Sequence, residues 1–368
     1  MKKFAKSKLF ILTMLLIIVL SACAKPGGTP VAIETPQPVE KTPTLAANPV
    51  EPTVVEREKV KLKIGLVPYI SNTILMIAES EGYFDEQDLD VEFVPFPNTN
   101  DLIPLIMSGD LDAGPPSANA AFFNAVAQGG NLKIILPLTD FVVKDCATVA
   151  FLARTSDVQT GKYSEINNWK DANLVVSTQG LNSIPGYVLG KVLEPVGLSV
   201  DDMKIQVVDI AAQEDALRNN RVDIVYAVEP AITRMTAKGD IAVLDNAEQY
   251  VPGLASSIIV AGPKIIDNPD VGQRFALAYL KAVRQYMQGK TVRNIELAVD
   301  LTKLSPELVS KMCWSNSSQD GILNVQSLLD YEQWLIKRGL LDKQIDPVDF
   351  YDPSFAEYAV SVLGTAKP

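Results

Sequence analysis

The sequence predicts an α/β protein with two lobes and a helical C-terminal region. Short strand and helix patterns alternate from about residue 60, and the alternation starts again near residue 148. After about residue 269 only helical patterns follow. Strands that alternate with helices at short intervals are typical of a parallel sheet with helical crossovers. We therefore expect two α/β lobes rather than one long sheet.

The first predicted strand and helix have clear local signals. Residues 60–67 alternate apolar and polar side chains as a strand does, and Pro68 ends the run. Ser71 and Asn72 then introduce a helix that ends near Gly82. In the first half we predict strands at 60–67, 89–94 and 132–136 and helices at 73–80, 101–107 and 117–128, the last capped by Ser117. In the second we predict strands at 148–153, 174–177, 204–209, 223–227, 241–244 and 256–261 and helices at 183–193, 212–219 and 230–237.

The composition excludes several kinds of site. The 368 residues contain no histidine and three cysteines, which removes imidazole catalysis, histidine metal ligands and four-cysteine zinc sites. A net charge of −11 argues against a nucleic-acid partner. We expect no catalytic residue, no metal and no cofactor. Cys146 and Cys313 either pair in an oxidising compartment or remain buried thiols, and both alternatives stay open.

Residues 1–22 carry the features of an export signal. Four lysines precede the apolar run at 9–20, which is too short to span a bilayer as a permanent helix. The sequence Leu-Ser-Ala-Cys at 20–23 resembles the lipobox of bacterial lipoproteins, in which the cysteine is lipidated and becomes the first mature residue. We expect diacylglycerol and palmitate-type chains on Cys23 to anchor the protein to the outer face of the cell membrane. The alternative is an ordinary secretory signal.

Residues 23–59 have the composition of a tether. Seven prolines fall between residues 24 and 59, and no aromatic residue does. Such a segment buries too little apolar area to offset the entropy of ordering it. We predict an extended link between the lipid anchor and a body that starts at residue 60.

Five segments of this body together resemble one protein family. They are Gly65-Leu66-Val67-Pro68 with Gly82-Tyr83-Phe84, Leu105 to Ala113, Val196-Gly197-Leu198 with Asp201-Asp202-Met203, Arg221 to Pro230, and Asp346-Pro347 through Phe355. In this order they resemble solute-binding proteins of ABC importers, in the superfamily for sulfonates, taurine, nitrate and thiamine pyrimidine precursors. The resemblance covers residues 60–364.

The resemblance implies a two-lobed periplasmic-binding-protein fold of type II, with a mixed sheet and flanking helices in each lobe. Lobe one would combine 60–150 with 253–368, and lobe two would be 151–252. Two chain crossings, near Ala150 and Gly253, would form the hinge on which the lobes close over a small-molecule solute. An ABC permease subunit would receive that solute from a monomeric, non-enzymatic protein. The superfamily also contains pyrimidine synthases that consume a histidine of their own chain, which this sequence lacks.

Candidate solute-binding residues lie in the loops that leave the carboxyl ends of the strands, where parallel sheets bind ligands. Three loops come from lobe one, after the strands at 60–67 and 89–94 and before the helix at 117–128. Two places come from lobe two, the loop at 178–183 and the end of the strand at 223–227. Simple helix capping is the alternative role for such residues. The candidates are Tyr69, Ser71, Asn72, Asn98, Ser117, Ala118, Gly180, Asn182, Ser183, Tyr226 and Glu229.

The charges at these positions leave the solute class open. The resemblance implies a sulfonate-type or nitrate-type anion, yet the four loops contain no lysine or arginine. Glu229 would oppose an anion unless it is neutralised. The alternative is a heteroaromatic vitamin or precursor, of thiamine-pyrimidine or riboflavin type, stacked on Tyr69, Phe141, Tyr187 or Tyr226. A sensor lipoprotein without a transport role is a further alternative.

Overall fold

The computed structural model describes residues 58–166, 169–170 and 173–367. The predicted signal at 1–22, the lipid attachment at Cys23 and the tether up to residue 57 lie outside the described residues. In the described part, no helix is both long enough and apolar enough to cross a membrane.

Strands and helices alternate as predicted, and a helical C-terminal region follows Pro269. The strands are β1 (Val60–Leu66), β2 (Leu89–Pro95), β3 (Ala113–Gly114), β4 (Lys133–Asp140), β5 (Val149–Arg154), β6 (Val175–Thr178), β7 (Lys204–Val207), β8 (Ile224–Val228), β9 (Ile241–Asn246) and β10 (Ala255–Ala261). The helices are α1 (Thr73–Ser80), α2 (Leu102–Ser108), α3 (Ala120–Ala127), α4 (Thr155–Gln159), α5 (Ile184–Leu193), α6 (Ile210–Arg218), α7 (Ala231–Thr236), α8 (Pro263–Ile266), α9 (Pro269–Tyr286), α10 (Val292–Thr302), α11 (Pro306–Lys311), α12 (Val325–Lys337), α13 (Pro347–Phe350) and α14 (Ser354–Leu363).

The strands of the described residues form two five-stranded sheets with the same plan. The first sheet has the order β2-β1-β3-β10-β4 and the second β7-β6-β8-β5-β9. In each sheet four strands run in the same direction, and one strand, β10 or β5, runs antiparallel to both of its neighbours. This confirms the predicted α/β class with two mixed sheets. We call the part built on the first sheet the first lobe and the part built on the second sheet the second lobe.

These two reversed strands follow the points where the chain changes lobe. Strand β5 is the first strand of the second lobe, and β10 is the strand with which the chain returns to the first lobe. The segment 141–148 leads from β4 into β5, and the segment 247–254 leads from β9 into β10. A pattern of alternating strands and helices predicts parallel pairing and does not locate these two reversals. The predicted lobe boundaries at residues 150 and 253 remain a prediction.

The two crossing segments are hydrogen-bonded to each other. The Phe141 N–H donates to the Leu254 carbonyl at 3.0 Å, and the Gly253 N–H donates to the Phe141 carbonyl at 2.8 Å. A third segment joins them, because the Asp140 N–H donates to the Asn316 carbonyl at 3.2 Å. Three stretches of chain that are distant in sequence therefore run side by side between the lobes.

Local chemistry explains one difference from the predicted elements. The predicted helix at 117–128 begins at Ala120, and Ser117 does not cap it. The side chain of Asn119 is the cap, accepting the Phe122 N–H at 2.9 Å. Ser117 instead pairs with Ser257 in an isolated bridge. Its position in that bridge leaves Ser117 at the surface between the lobes.

Helix α12 packs against both lobes. Its Tyr331 lies 6.1 Å from Phe123 of α3 and 5.1 Å from Tyr187 of α5, measured between ring centroids. Trp334 adds a second contact to Tyr187 at 5.7 Å. At the end of the helix Arg338 forms two hydrogen bonds with Asp201, at 2.9 and 3.0 Å. The C-terminal region therefore holds the two lobes together along one side.

Candidate functional site

A cleft lies between the two lobes and holds about 610 Å³ of empty space, part of which is its open mouth. The first lobe and the segment after α11 contribute Tyr69, Ile70, Ser71, Ser117, Thr139, Phe141, Ser256, Ser257 and Ser315, and the second lobe with its entry segment contributes Thr148, Val149, Gln179, Ile184, Pro185, Tyr226, Val228 and Glu229. Most of the polar lining groups are hydroxyls. The cleft is therefore built to form hydrogen bonds from both lobes.

Five predicted site residues line this cleft, namely Tyr69, Ser71, Ser117, Tyr226 and Glu229. They come from three separate strand ends and two lobes, as expected if ligands bind at the carboxyl ends of strands. Their contact with a solute remains a prediction.

The other six predicted residues do not line the cleft. Asn72 and Ala118 are buried, at 1% and 0% exposure, and Asn98 turns back to accept the Asn100 N–H at 2.9 Å. Gly180, Asn182 and Ser183 form the loop before α5. There the Ser183 hydroxyl donates to the Gly180 carbonyl at 2.9 Å, and the Asn182 carbonyl accepts the Ala120 N–H at 3.1 Å. This loop therefore connects the lobes.

One of the four aromatic candidates has different surroundings from those expected. Phe141 lines the cleft with Tyr69 and Tyr226. Tyr187 is 4% exposed and packs against Tyr331 and Trp334 away from the cleft. As a stacking partner for a solute, Tyr187 was a wrong choice, because α5 turns this face toward α12.

The sequence did not single out several residues of the lining. One of them, Thr139, lies in β4. Ser256 and Ser257 lie in β10, and Ser315 lies in the segment after α11. None of them follows a parallel strand or opens a helix, so the rule that selected the other loops does not apply to them. Gln179 lies within the predicted loop at 178–183 but was not chosen.

Glu229 carries the one carboxylate of the described lining. It is 3% exposed and accepts the Thr233 N–H at 3.0 Å, the Thr233 hydroxyl at 2.7 Å and the Cys313 N–H at 3.2 Å. Burial raises the pKa of Glu229, and the bonds from Thr233 and Cys313 oppose that shift. All three donors are uncharged, and the charge of Lys290 also opposes the rise in pKa. An ionised Glu229 places a negative charge beside the cleft.

A second carboxylate lies close behind the lining. Glu248 is 2% exposed and accepts the Thr148 N–H at 3.2 Å and the Thr148 hydroxyl at 2.6 Å. Burial raises its pKa, and the same two bonds oppose the shift. Because Thr148 itself lines the cleft, this charge also acts on the site.

The two cleft tyrosines keep their protons. Burial raises the pKa of Tyr69 to about 12 and that of Tyr226 further still. Tyr226 is 2% exposed and lines the cleft. The side-chain nitrogen of Gln179 is buried without a hydrogen-bond partner in the part of the chain that the structure describes. The cleft thus presents a neutral donor that the described part of the protein does not satisfy.

A disulfide joins Cys146 and Cys313 next to this site. It answers the question that the sequence left open. Cys146 lies in the crossing segment 141–148, and the Cys313 N–H contacts Glu229. The bond therefore links the crossing segment to the chain that supplies Ser315 to the cleft.

The described residues contain no group of three histidine, cysteine, aspartate or glutamate side chains that could hold a metal ion. The chemistry available in the cleft is hydrogen bonding, aromatic contact and the charge of Glu229.

Comparison with protein families matches residues 70–289 to the family described as NMT1/THI5 like. Curated protein sequences give no match. Solved structures share the fold at low sequence identity, and such likeness concerns the fold alone.

Three of these structures illustrate the range. The ligand-binding component of an ABC-type import system from Staphylococcus aureus, with zinc bound, is 17% identical, with 82% of this chain and 99% of that chain covered and a TM-score of 0.67. The alkanesulfonate-binding protein SsuA from Xanthomonas axonopodis pv. citri, bound to MOPS, is 17% identical, with 81% and 99% covered and a TM-score of 0.64. The desulfurization enzyme DSZB is 14% identical, with 83% and 99% covered and a TM-score of 0.58.

Proposed function

Because this chain belongs to the NMT1/THI5-like family, we propose that it captures a small organic solute between its lobes and delivers it to the permease of an ABC importer. The observation that carries the proposal is a cleft between two sheet-based lobes, lined mostly by hydroxyl groups, in which the side-chain nitrogen of Gln179 is buried without a partner among the described residues. A group of this kind, buried without a partner, costs free energy until a ligand or water pairs with it.

The likeness to the ligand-binding component of an ABC-type import system supports the transport role. We further propose that the chain works outside the cytoplasm as a monomer, held at the membrane by lipid on Cys23. The export signal and the lipobox-like sequence at 20–23 support this location.

Binding without catalysis agrees with the chemistry of the lining. The lining residues in the described part include no cysteine, lysine or histidine, and Glu229 is already bonded to three donors. A general base or nucleophile would need an unengaged group aimed at the reacting atom. Since an enzyme shares this fold, it is the lining that argues for a receptor.

Two solute classes are in competition. The likeness to an alkanesulfonate-binding protein supports a sulfonate-type anion, with nitrate as a smaller relative. The phenol groups of Tyr69 and Tyr226, together with Phe141, support a heteroaromatic vitamin or precursor.

Mass spectrometry of the protein purified from its native membrane tests the proposal. We expect one small solute to be released on denaturation in near-stoichiometric amount. The emptied protein should melt at a higher temperature when that solute is returned. A chain that carries no solute and is not stabilised by sulfonates, nitrate, pyrimidines or flavins would contradict the proposal.

A further inference from the structure

The charge of the cleft lining limits the class of solute that the cleft can hold. The lining holds Glu229 and includes Thr148, which bonds the buried Glu248, and no lysine or arginine lines it. We infer that the cleft selects an uncharged solute with hydrogen-bond acceptors such as a carbonyl or ring nitrogen, and that Glu229 is the residue that rejects anions. This inference rests on the proposed function and narrows its substrate class.

Neutral donors do not remove the charge of Glu229. The Thr233 and Cys313 groups satisfy its oxygens as hydrogen-bond acceptors, but they carry no formal charge. A solute anion about 6 Å from this carboxylate would bind roughly a hundredfold more weakly at an effective dielectric constant of about 20. An uncharged solute of the same shape does not meet this repulsion.

Helix N-termini are the other usual source of anion binding, and at three helices beside the cleft the protein already uses or lacks a first-turn donor. At the start of α3 the Ala120 N–H donates to the Asn182 carbonyl at 3.1 Å. At the start of α7 the Thr233 N–H donates to Glu229. Pro185, which lines the cleft in the first turn of α5, has no N–H to offer. Each of these three helices therefore has at least one first-turn donor fewer with which to replace a lysine or arginine.

Two neutral polar groups of the lining suit an uncharged partner. Tyr226 is 2% exposed and its hydroxyl can donate or accept one hydrogen bond, and the buried side-chain nitrogen of Gln179 donates. A carbonyl or ring nitrogen would satisfy both without bringing a charge into the cleft. A site that hydrogen-bonds an uncharged group and repels a charged isostere discriminates strongly between the two.

Two matched pairs of probes test the inference. Benzenesulfonamide and benzenesulfonate form one pair, and nicotinamide and nicotinate form the other; each pair keeps its shape while one member is an anion at pH 7. Calorimetry and thermal shift on the solute-free exported chain, with each probe at millimolar concentration, measure the affinity ratio. We expect the neutral member of each pair to bind at least about tenfold more tightly than the anion.

Variants locate the effect. In Glu229→Gln the anionic member should gain at least about tenfold in affinity while the neutral member changes little, because the charge is removed and the size of the side chain is kept. The new NH2 group faces the N–H of Thr233 or of Cys313, so the stability of this variant is measured first. The matched control Glu357→Gln removes an exposed carboxylate and should leave both affinities unchanged. If the Gln variant does not fold, the wild-type ratio still decides.

The outcomes separate the inference from the proposed function. Wild-type protein that binds the anions as tightly as the neutral members, or more tightly, would overturn the inference and leave solute capture standing. An equal gain for both members in Glu229→Gln would overturn the role of Glu229. Failure of all four probes, with no solute found by mass spectrometry, would overturn both the inference and the proposed function.

Discussion

The hydroxyl of Tyr331 donates a hydrogen bond of 3.1 Å to the backbone carbonyl of Asn182. The same oxygen accepts the N–H of Ala120, the first residue of α3, at 3.1 Å. Tyr331 lies on α12, and Asn182 belongs to the loop that precedes α5. One carbonyl of the second lobe is thus held by the first lobe and by the C-terminal region together.

Replacing Tyr331 by phenylalanine should loosen this contact while keeping the ring packed against Tyr187. We expect the free energy of unfolding to fall by about 1 kcal/mol, the usual net value of one buried hydrogen bond. Hydrogen exchange should speed up at the amides of residues 180–183 and at Ala120. The control Tyr358→Phe alters a tyrosine that is 37% exposed and should change neither quantity. Unchanged exchange in Tyr331→Phe would show that the bond does not hold the lobes.

Reducing the Cys146–Cys313 disulfide should destabilise the body. The bond closes a loop with a sequence separation of 167 residues, and loss of a native disulfide typically costs about 2–4 kcal/mol. Urea unfolding of the wild type with and without dithiothreitol measures the effect. The double variant Cys146→Ser with Cys313→Ser should have the same urea midpoint as the reduced wild type, and dithiothreitol should not change that midpoint. A fully reduced wild type with an unchanged urea midpoint would refute this expectation.

Glu332 should make stability depend on pH. Its side chain is 0% exposed, and burial raises its pKa from 4.5 to about 7, against a smaller opposing effect of the Ile345 N–H. Because the folded pKa is the higher one, folded protein holds this proton where unfolded protein has lost it. The contribution is therefore complete below pH 4.5 and is lost as pH rises toward about 7, at a cost on the order of 3 kcal/mol.

The variant Glu332→Gln isolates this contribution. Its free energy of unfolding, measured by urea titration and taken relative to the wild type, should rise steadily between pH 4.5 and about 7. Other buried carboxyls shift in the same direction, so the difference between the two proteins is the quantity to compare. The exposed substitution Glu357→Gln should leave the wild-type slope intact. If the free energies of unfolding of Glu332→Gln and of the wild type change with pH in parallel, Glu332 is not the source of this pH dependence.

Replacing Cys23 by serine should release the protein from membranes, because the proposed lipid chains attach to that sulfur. Fractionation of cells followed by immunoblotting measures the distribution between membrane and soluble fractions. The Cys146→Ser with Cys313→Ser variant keeps Cys23 and should stay with the membrane. A Cys23→Ser protein that remains in the membrane fraction would contradict the lipobox interpretation.

The sequence predicted the elements well because their signals are local. Helix α1 occupies the predicted residues 73–80 and the chain turns after it at Gly82, where φ is 74°. The predicted capping is wrong in detail, because a short turn at 70–72 leads into the helix and the side chain of Asn72 does not cap it. The order of the strands was not predictable in the same way. Pairing of β10 with β3 and β4 joins residues far apart in the chain, and periodicity carries no information about such pairs.

The site was predictable in part for the same reason. Tyr69 and Tyr226 lie at strand ends that the sequence marks, and both line the cleft. Ser256 and Ser315 line it too, but they reach it through the crossing and the C-terminal region. Asn182 had the right location and another role, since its carbonyl bonds Ala120 and Tyr331.

The crossing of the chain between sheets has a consequence for the order in which the protein can mature. Strands β5 to β9 follow one another without interruption, so the second sheet can form as soon as that stretch is available. The first sheet starts earlier in the chain but has a gap between β3 and β4 until β10 arrives. Until then the edges of β3 and β4 are open to pairing with other chains, which is a route to aggregation. A chain with this order of strands is less exposed to aggregation if it stays unfolded until its C-terminal third, which contains β10, has been made.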